Sequence, residues 1–587
     1  RVGRWKIKGE PTVVLVDFSS LIPRKDEILK SLWESYHVDS ISGQWDYIEP
    51  VLFGWAAGVV IASYVETFGT PTEKAVAHFH EWMTAAGGLY LRKHAPYIAT
   101  VFTTHATVMG RCIAGNRLPL YNDLPKFNAD ELARQFNVTA KHSIEKMAAA
   151  YHDAFLTVSD ITANECKYLL GREPDGVTPN GFENDFVWAG EEYYAKRDEA
   201  RRAMISVAEA CLGEKFTGDP LIVGTSGRYE FRNKGIDVFI ESLKQLAASD
   251  RLRREVLAYI TVPAGNRGPR LDLQAHLADP SKPIDAGQYR HSTHYLENAT
   301  WDPIVNALKN SNLTDPGSKV KVIFVPTYLN KADGIFHKDY YELLVGMDIT
   351  VFPSYYEPWG YTPLESVAFS IPTVTTTLAG FGIWVDKQRE HAGVEVIRRD
   401  DYNDKEVEAK IADTLLRFSL LDEKHVNEQH TSAYEISLTA LWEHLFAAYE
   451  QAYSEAVESS IVRTNRAVLD GGTKTEQINF VRQQLFVEKP VWNRMMVDKT
   501  LPKRLHALEE LSRNLWWCWN PGARDLFEGI DPALWAESDR NPIAFLDKMS
   551  VERMKELEKD TNFLAQLDAV HTQFRDYMNE KPDPKAT

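Results

Sequence analysis

The sequence predicts an α/β protein with two parallel-sheet lobes in series, followed by a helical segment at its C-terminal end. Two successive series of short apolar runs alternate with helical patterns, and the second series begins near residue 220. The final stretch is helical and carries a dense aromatic cluster, NLWWCWNP (514–521). Apolar strands separated by amphipathic helices are typical of βαβ units, whose strands lie parallel. Two Rossmann-like lobes joined in this way indicate an enzyme with a ligand cleft between them.

The first lobe is assigned to residues 1–215. A helix is predicted around 51–67, and DGVTPNGFE (175–183) has the composition of a turn. Four short runs are predicted strands: TVVLVDF (12–18), KAVAHFH (74–80), IATVFTTH (98–105) and AFLTVS (154–159).

The second lobe is assigned to residues 216–455. PLIVGTSGRYEFRNKGIDVFIESLKQL (220–246) has the pattern of a strand, a loop and a helix, and a further helix is predicted from about residue 363. The other predicted strands are VLAYITVPA (256–264), KVKVIFVPT (319–327), DITVFPS (348–354) and IPTVTTT (371–377).

The tract 404–459 is acidic, amphipathic and predicted to be helical. Its apolar stripe has helical spacing and is interpreted as core packing: Leu416, Leu420, Leu438, Leu441, Leu445 and Tyr449. Residues 456–500, which include Asp470-Gly471-Gly472-Thr473, are predicted to be a connector. If the helical segment 501–587 has only a structural role, we expect a small helical bundle whose core contains Trp516, Trp517 and Trp519.

Composition excludes some classes of protein. The net charge of −17 argues against a nucleic-acid binder, because neutralising phosphates requires a basic surface. The four cysteines, Cys112, Cys166, Cys211 and Cys518, form no CxxC pair, so a reducing cytoplasm is expected and structural zinc is not. The apolar run 51–65 contains glycines and is predicted to be a buried helix too short to span a membrane.

Two glutamates lie close together in the stretch VFPSYYEPWGYTPLESVAFSIPTVTTT (351–377). Thr362, Pro363 and Glu365 fit a capping box with the threonine at the N-cap. That box does not account for Glu357. Spacing alone leaves a helix cap and an active site equally open.

A basic loop, GRYEFRNKG (227–235), lies between a predicted strand and a predicted helix. Arg228 and Lys234 beside a helix N-terminus make a suitable seat for a diphosphate, although an ordinary solvated loop has the same composition. The loop lacks the spacing of a P-loop.

Histidines follow two of the predicted strands of the first lobe. His80-Glu81 is not part of a zinc-binding H-E-x-x-H helix, because position 84 is threonine, and no other residues have metal-ligand spacing. His105 ends another apolar run. A histidine at such a position can have a purely structural role instead of a catalytic one. Cations for a diphosphate, carboxylates and strand-end histidines together suit transfer of a sugar from a nucleoside diphosphate.

At this point the chain resembles the eukaryotic-type glycogen synthases of glycosyltransferase family 3, over residues 1–455. The resemblance rests on these motifs: VGRWKIKG (2–9), FHEW (79–82), TVFTTHATVMGR (100–111), TVSDIT (157–162), VTPNG (177–181), GRYEFRNKGIDVF (227–239), PSYYEPWGYTPLE (353–365) and IPTVTTTLAGFG (371–382).

The resemblance implies a GT-B fold and retaining transfer of glucose from UDP-glucose to the 4-hydroxyl end of an α-1,4-glucan such as glycogen, with no essential metal. It places Glu357 by the donor sugar, and Arg228 and Lys234 on the diphosphate. The remaining implied positions are Glu365 on the ribose, the backbone of Gly360, Tyr361 and Thr362 on the distal phosphate, Tyr340 on uracil, His105 near the donor glucose, and His80 and Glu81 towards the acceptor. A cytoplasmic homo-oligomer is expected.

Two departures from the family pattern stand out. The family's opening strand and glycine-rich loop, with a lysine that contacts the donor, would precede Arg1. The region 423–453 contains none of the arginines that accompany glucose 6-phosphate control, so no activation by that ligand is expected.

The tail is similar to another family. LPKRLHALEELSRNLWWCWNPGARDLFEGIDPALW (501–535) and NPIAFLDKMS (541–550) resemble the N-terminal segment of bacterial α-glucan phosphorylases, which suggests part of a synthase–phosphorylase fusion. Pyridoxal phosphate would belong only to a phosphorylase part outside this chain. Two alternatives to a synthase stay open: phosphorylase activity of the intact fusion, and a non-catalytic glycogen-binding scaffold.

Overall fold

The computed structural model describes residues 1–68, 74–284, 287, 290–309, 311–315, 317–388, 391–469, 504–512 and 516–579. The chain divides into two compact units. Unit 1 comprises Arg1–Thr103, Ser143–Phe155 and Glu450–Thr587, and unit 2 comprises Thr104–His142 and Leu156–Tyr449.

The strands are β1 (Val2–Arg4), β2 (Thr12–Val14), β3 (Val76–His80), β4 (Ala99–Thr104), β5 (Ala154–Thr157), β6 (Gly176–Val177), β7 (Leu221–Ser226), β8 (Val256–Thr261), β9 (Asn266–Pro269), β10 (His294–Leu296), β11 (Val320–Val325), β12 (Ile349–Val351), β13 (Thr373–Thr376) and β14 (Val394–Ile397).

The α-helices are α1 (Lys25–Tyr36), α2 (Trp45–Phe68), α3 (Ala85–His94), α4 (Val108–Gly115), α5 (Ala129–Gln135), α6 (Thr139–Tyr151), α7 (Asp160–Glu165), α8 (Gly190–Leu212), α9 (Ile236–Ala247), α10 (Leu271–Ala278), α11 (Pro303–Lys309), α12 (Tyr340–Leu344), α13 (Tyr361–Ala368), α14 (Gly380–Asp386), α15 (Asp404–Ser419), α16 (Glu423–Thr439), α17 (Trp442–Leu469), α18 (His506–Ser512), α19 (Trp516–Trp519), α20 (Pro521–Ile530), α21 (Pro532–Glu537), α22 (Pro542–Lys548), α23 (Val551–Leu557) and α24 (Thr561–Asn579).

Unit 2 contains a six-stranded parallel sheet in the order β11-β8-β7-β12-β13-β14. Numbered from β7, this is the 3-2-1-4-5-6 order of a doubly wound Rossmann sheet. The strand order reverses between β7 and β12, which pair at Ile349 with Val223 and at Thr350 with Gly224. All five strands predicted for this lobe are present, and β14 completes the sheet.

Both faces of this sheet are covered by helices, which explains why its strands are continuously apolar. In β8, Val256 and Ile260 pack in the same core as α9 and α15, whereas Leu257 and Tyr259 pack in the core that contains α8. Successive side chains of a strand point to opposite faces, so one run of apolar residues fills two layers.

In the first part of the chain, β3 pairs parallel with β4, and β5 pairs parallel with β6. Three of the four strands predicted for the first lobe are therefore confirmed. The prediction that residues 12–18 form a strand of the parallel sheet is wrong. Thr12–Val14 instead pairs antiparallel with Val2–Arg4, and the side chains of this short hairpin are exposed or half-buried.

Helix α2 is longer than the apolar run that predicted it. It has 24 residues and is, by length and composition alone, the one helix among the described residues that could cross a membrane. Only a third of its apolar window is buried. The buried face contacts α3 backbone to backbone, since a Cβ at Gly58 would lie 2.7 Å from the Gly87 carbonyl oxygen. The prediction of a buried helix is therefore right for one face, whereas Phe53 and Tyr64 are exposed.

The predicted tract 404–459 consists of three helices, α15, α16 and α17. Leu416 and Tyr449 are buried as expected, but Leu420, which follows α15, is half exposed. Helix α17 continues to Leu469, so the first part of the predicted connector is helical. Residues 470–500 of that connector lie outside the described residues.

The C-terminal helices α18 to α24 share a hydrophobic core within unit 1, as the helical prediction for 501–587 expects. Trp516 and Trp517 are buried in it, and Phe527 stacks on Trp535 with ring centroids 5.6 Å apart. The side chain of Trp519 lies outside the described part of the chain.

Candidate active site

The loops after β7 and β12 meet where the strand order of the unit 2 sheet reverses. β7 ends at Ser226 and leads through the basic loop to α9, while β12 ends at Val351 and leads through Glu357 to α13. In doubly wound sheets, ligands bind outside the carboxyl ends of the strands at this point. The fold therefore brings the two loops singled out in the sequence to one place.

Lys234 and Glu357 form an ion pair at this switch point. The Lys234 ammonium donates a hydrogen bond to Glu357 Oε2, and both side chains are about 85% buried, with exposed fractions of 13% and 15%. Gly235 permits this approach. Its φ of +67° is left-handed, and a Cβ there would lie 1.9 Å from the Pro353 carbonyl oxygen. Only glycine satisfies both conditions.

Backbone hydrogen bonds fix the loop that carries Glu357. The Asn233 carbonyl accepts from the amides of Tyr355 at 2.8 Å and Tyr356 at 3.1 Å. The Glu357 carbonyl accepts from the Gly380 amide at 3.0 Å. The buried Arg399 guanidinium donates to the Pro353 carbonyl and forms an ion pair with Asp404. The carboxylate of Glu357 is thus positioned from both flanks of its loop.

Helix α13 begins at Tyr361 rather than after Thr362. Its N-cap is Gly360, with a φ of +110° and no side-chain cap. The predicted capping box is wrong, because Glu365 lies in the second turn of the helix and its carboxylate is engaged elsewhere. The Tyr341 hydroxyl donates to Glu365 Oε1 at 2.8 Å, and burial raises the pKa of Glu365 against the opposing effect of this hydrogen bond.

Tyr340 lies at the first turn of α12, and its hydroxyl is 2.7 Å from Ser226 Oγ at the end of β7. Tyr340 and Glu365 are thus both anchored, through Ser226 and Tyr341, beside the switch point. Sequence reasoning missed these two partners, since neither belongs to a recognisable spacing with the residue that it contacts.

Arg228 and His105 are two further predicted site residues of unit 2. Arg228 is 65% exposed and pairs with Glu230 at 3.2 Å, so its guanidinium is directed to solvent and to its own loop. His105 directly follows β4, is half-buried, and precedes the α4 N-cap Thr107.

His80 and Glu81 belong to unit 1, where His80 ends β3 and Glu81 follows it. The His80 ring stacks on that of His78 with centroids 4.1 Å apart. Glu81 has a left-handed φ of +66°, and its amide donates to the Thr103 carbonyl at 2.8 Å. A non-glycine residue held in this conformation marks Glu81 as a position under structural constraint.

A buried carboxyl was also missed. Glu165, at the end of α7, is fully buried, and its Oε2 accepts from Thr107 Oγ1 at 2.7 Å and from the Tyr356 hydroxyl at 3.4 Å. Burial raises the pKa of Glu165 to about 7. Its Oε1 has no hydrogen-bond partner among the described residues. The carboxyl thereby links the α4 N-terminus to the residue before Glu357.

The described residues contain no candidate metal-binding site. No group of three or more histidine, cysteine, aspartate or glutamate side chains there is arranged to hold an ion.

A doubly wound parallel sheet with a lysine–glutamate ion pair at its switch point defines an α/β protein of the Rossmann type. Comparison of the sequence with known protein families assigns the chain more specifically. The family model described as glycogen synthase matches residues 1–272 and 290–511. A second model, described as a protein of unknown function (DUF3417), matches residues 501–585. The chain belongs to the glycogen synthase family.

Individual relatives agree with this membership. The glycogen [starch] synthase of Neurospora crassa is 30% identical over 459 residues, covering 68% of this chain and 64% of the relative. The chain thus spans less than two thirds of that relative's length. The Caenorhabditis elegans glycogen [starch] synthase is 31% identical, covering 68% of each chain. Isoform 2 from Saccharomyces cerevisiae is 28% identical, covering 80% of this chain and 78% of the relative.

Among solved structures, the catalytic domain of starch synthase IV from Arabidopsis thaliana, bound to ADP and acarbose, aligns with a TM-score of 0.43. The identity is 14%, and the alignment covers 71% of this chain and 78% of that one.

Proposed function

We propose that the protein transfers glucose from UDP-glucose to the non-reducing 4-hydroxyl end of an α-1,4-glucan, with retention of configuration. The observation that carries this proposal is the Lys234–Glu357 pair at the switch point of a Rossmann sheet. Sugar transfer needs a cation for the departing diphosphate and a carboxylate near the positively charged ring. Family membership supports the substrate class.

Lys234 is proposed to exchange partners during the reaction. Without substrate it neutralises the largely buried Glu357. A bound diphosphate would draw the ammonium towards its oxygens, assisted by Arg228 and by the amides of Gly360, Tyr361 and Thr362 at the α13 N-terminus. Glu357 would then be released to orient the donor glucose and to stabilise its developing positive charge.

The nucleoside is proposed to bind against Glu365 and Tyr340, the two residues anchored beside the switch point. Glu365 would accept a hydrogen bond from the ribose, and Tyr340 would stack on the base. His105 is proposed to contact the donor glucose, and His80 and Glu81 to serve the acceptor side. A tyrosine ring can stack on either uracil or adenine, so the choice of UDP over ADP rests on the family.

No metal ion or organic cofactor is proposed for the transfer reaction, because Lys234, Arg228 and a helix N-terminus supply the positive charge. A cytoplasmic homo-oligomer without nucleic-acid or membrane partners is proposed. Absence of glucose 6-phosphate activation is also proposed, since residues 423–453 contain no arginine.

For the tail we propose the beginning of an α-glucan phosphorylase unit fused to the synthase. The separate core of α18 to α24 is consistent with an independent module. A phosphorylase requires pyridoxal phosphate, so absorbance of this cofactor in the natural full-length protein tests the fusion. A full-length protein without bound cofactor would contradict it.

The synthase proposal is tested by incubating the natural full-length protein with glycogen and radiolabelled UDP-glucose or ADP-glucose. We expect incorporation of label into glycogen, faster from UDP-glucose. Sedimentation with glycogen, measured in parallel, identifies the scaffold alternative. Binding to glycogen without transfer from either donor would contradict the synthase proposal.

A further inference from the structure

Unit 2 contains a polar cavity lined in part by the basic loop that carries Lys234. It has a volume of about 460 Å³ and lies between helix α4 and the loop from β7 to α9. Its polar lining residues are Arg111, Arg117, Glu230, Arg232 and Asn233, and the aromatic wall includes Tyr356. A volume of this size matches the range of small-molecule sites.

The cavity concentrates positive charge in an acidic protein. Three guanidiniums line it although the chain carries a net charge of −17. Within the described ranges none of the three makes an ion pair with a carboxylate within 4.0 Å. Glu230, the single carboxylate lining the cavity, pairs instead with Arg228 at 3.2 Å and accepts from the Asn233 amide at 3.3 Å.

One of these arginines is held in place. The Arg232 guanidinium lies 5.7 Å from the centroid of the Tyr355 ring, a cation–π distance. Arg111 and Arg117 are exposed, so solvent screens the repulsion between them, but three guanidiniums that line one cavity still attract an anion to it. Arginine is well suited to recognise phosphate, because its planar guanidinium can donate two parallel hydrogen bonds.

We propose that this cavity binds a phosphate monoester, as a site separate from the donor diphosphate seat. Lys234 turns towards Glu357, whereas Arg232 and Asn233 of the same loop line the cavity, so the loop serves two sites. The cavity is larger than an inorganic phosphate, and Phe231 and Tyr356 provide the wall against which a sugar ring packs. The proposal does not depend on the transfer reaction.

Calorimetric titration of the full chain tests this site. The probes are inorganic phosphate, glucose 1-phosphate and, as a neutral control, glucose. We expect both phosphates to bind and glucose not to bind. Arg117→Gln and Arg232→Gln should each weaken phosphate binding by at least about tenfold, because each removes a charge-assisted hydrogen bond. Arg202→Gln is the matched control, since Arg202 is exposed on α8 and away from the cavity.

UDP affinity, measured on the same variants, separates this proposal from the proposed function. Arg117→Gln should bind UDP as the parent chain does. Four results would overturn the proposal: no phosphate binding, binding of inorganic phosphate but not of glucose 1-phosphate, unchanged phosphate binding in both cavity variants, or loss of phosphate binding in Arg228→Gln but not in the cavity variants.

Discussion

Lys234 and Glu357 are 123 residues apart in the chain, yet the ammonium of one donates directly to the carboxylate of the other. The contact is possible because the loop from β7 touches the loop from β12 at Gly235, against the Pro353 carbonyl. The strand order of the sheet places these loops side by side, and the missing Cβ lets them touch. The candidate site is thus a product of topology and of one glycine.

Replacement of Glu357 by glutamine should abolish most transfer activity. Glutamine keeps the shape of the side chain but removes the negative charge that stabilises the positively charged ring. We expect the rate of glucose incorporation into glycogen to fall by about 100-fold or more. Glu192→Gln, an exposed substitution on α8, should leave the rate unchanged. A Glu357→Gln variant within threefold of the parent rate would remove Glu357 from the mechanism.

Lys234→Met should destabilise the protein by more than the loss of the lysine's own contacts, because the substitution leaves the Glu357 carboxylate largely buried without a cation. A loss of about 2 kcal/mol or more in the free energy of unfolding is expected from a broken buried pair. Adding Glu357→Gln to Lys234→Met should recover at least about 1 kcal/mol relative to the sum of the two single variants. Urea unfolding of all four proteins measures this coupling. Simple additivity would mean that the pair has no energetic link.

Gly235→Ala should displace the two loops of the site. The matched control is Gly213→Ala, because Gly213 has nearly the same φ, +68°, but open space around its Cβ position. The control isolates the cost of a left-handed residue, about 1–2 kcal/mol. Gly235→Ala carries that cost and a collision with backbone, so it should unfold at lower temperature than the control and lose transfer activity. Equal melting temperatures for the two variants would show that the close approach is unimportant.

Glu165→Gln should stabilise the protein in a pH-dependent way. Burial raises the pKa of Glu165 from 4.5 to about 7, so the folded state holds its proton over a range in which the unfolded state has lost it. The parent chain therefore loses stability as pH rises from about 4.5 to 7, whereas a glutamine does not titrate. The advantage of the variant should grow across this range to at most about 3 kcal/mol and then stay constant.

Thermal unfolding at pH 5, 6, 7 and 8 measures that difference. Glu192→Gln, which replaces an exposed carboxyl on α8, is the matched control. A Glu165→Gln variant with a constant offset from the parent between pH 5 and pH 8 would show that the carboxyl does not change its protonation on folding in this range.

The strands of the unit 2 sheet could be predicted because burial on both faces leaves a local trace, a short continuous apolar run such as VLAYIT. The proximity of the two loops could also be expected, since parallel strands end at the same edge. The helix start at Gly360 could not, because a capping box and a left-handed glycine cap compete and tertiary contacts decide between them. Glu365 illustrates this: its partner Tyr341 comes from another helix.

Contacts between distant residues explain the other differences. Nothing near Glu165 in the sequence indicates that Thr107 and Tyr356 will enclose it. Likewise, the apolar run at residues 12–18 resembles a core strand, but a two-stranded hairpin forms locally and the parallel sheet begins only at β3.

Helix α17 has a practical consequence for dissecting the protein. Arg463 on this helix donates to Asp153, the residue before β5. The fully buried carboxylate of Asp153 also accepts from Arg92 at 2.9 Å. The same guanidinium donates to the Pro96 carbonyl at 2.7 Å and the Ile98 carbonyl at 3.1 Å. A recombinant fragment cut at residue 455, where sequence patterns alone place the end of the second lobe, would discard this arginine. Expression of the synthase part by itself should therefore retain the chain through residue 469, so that Asp153 keeps both of its cations.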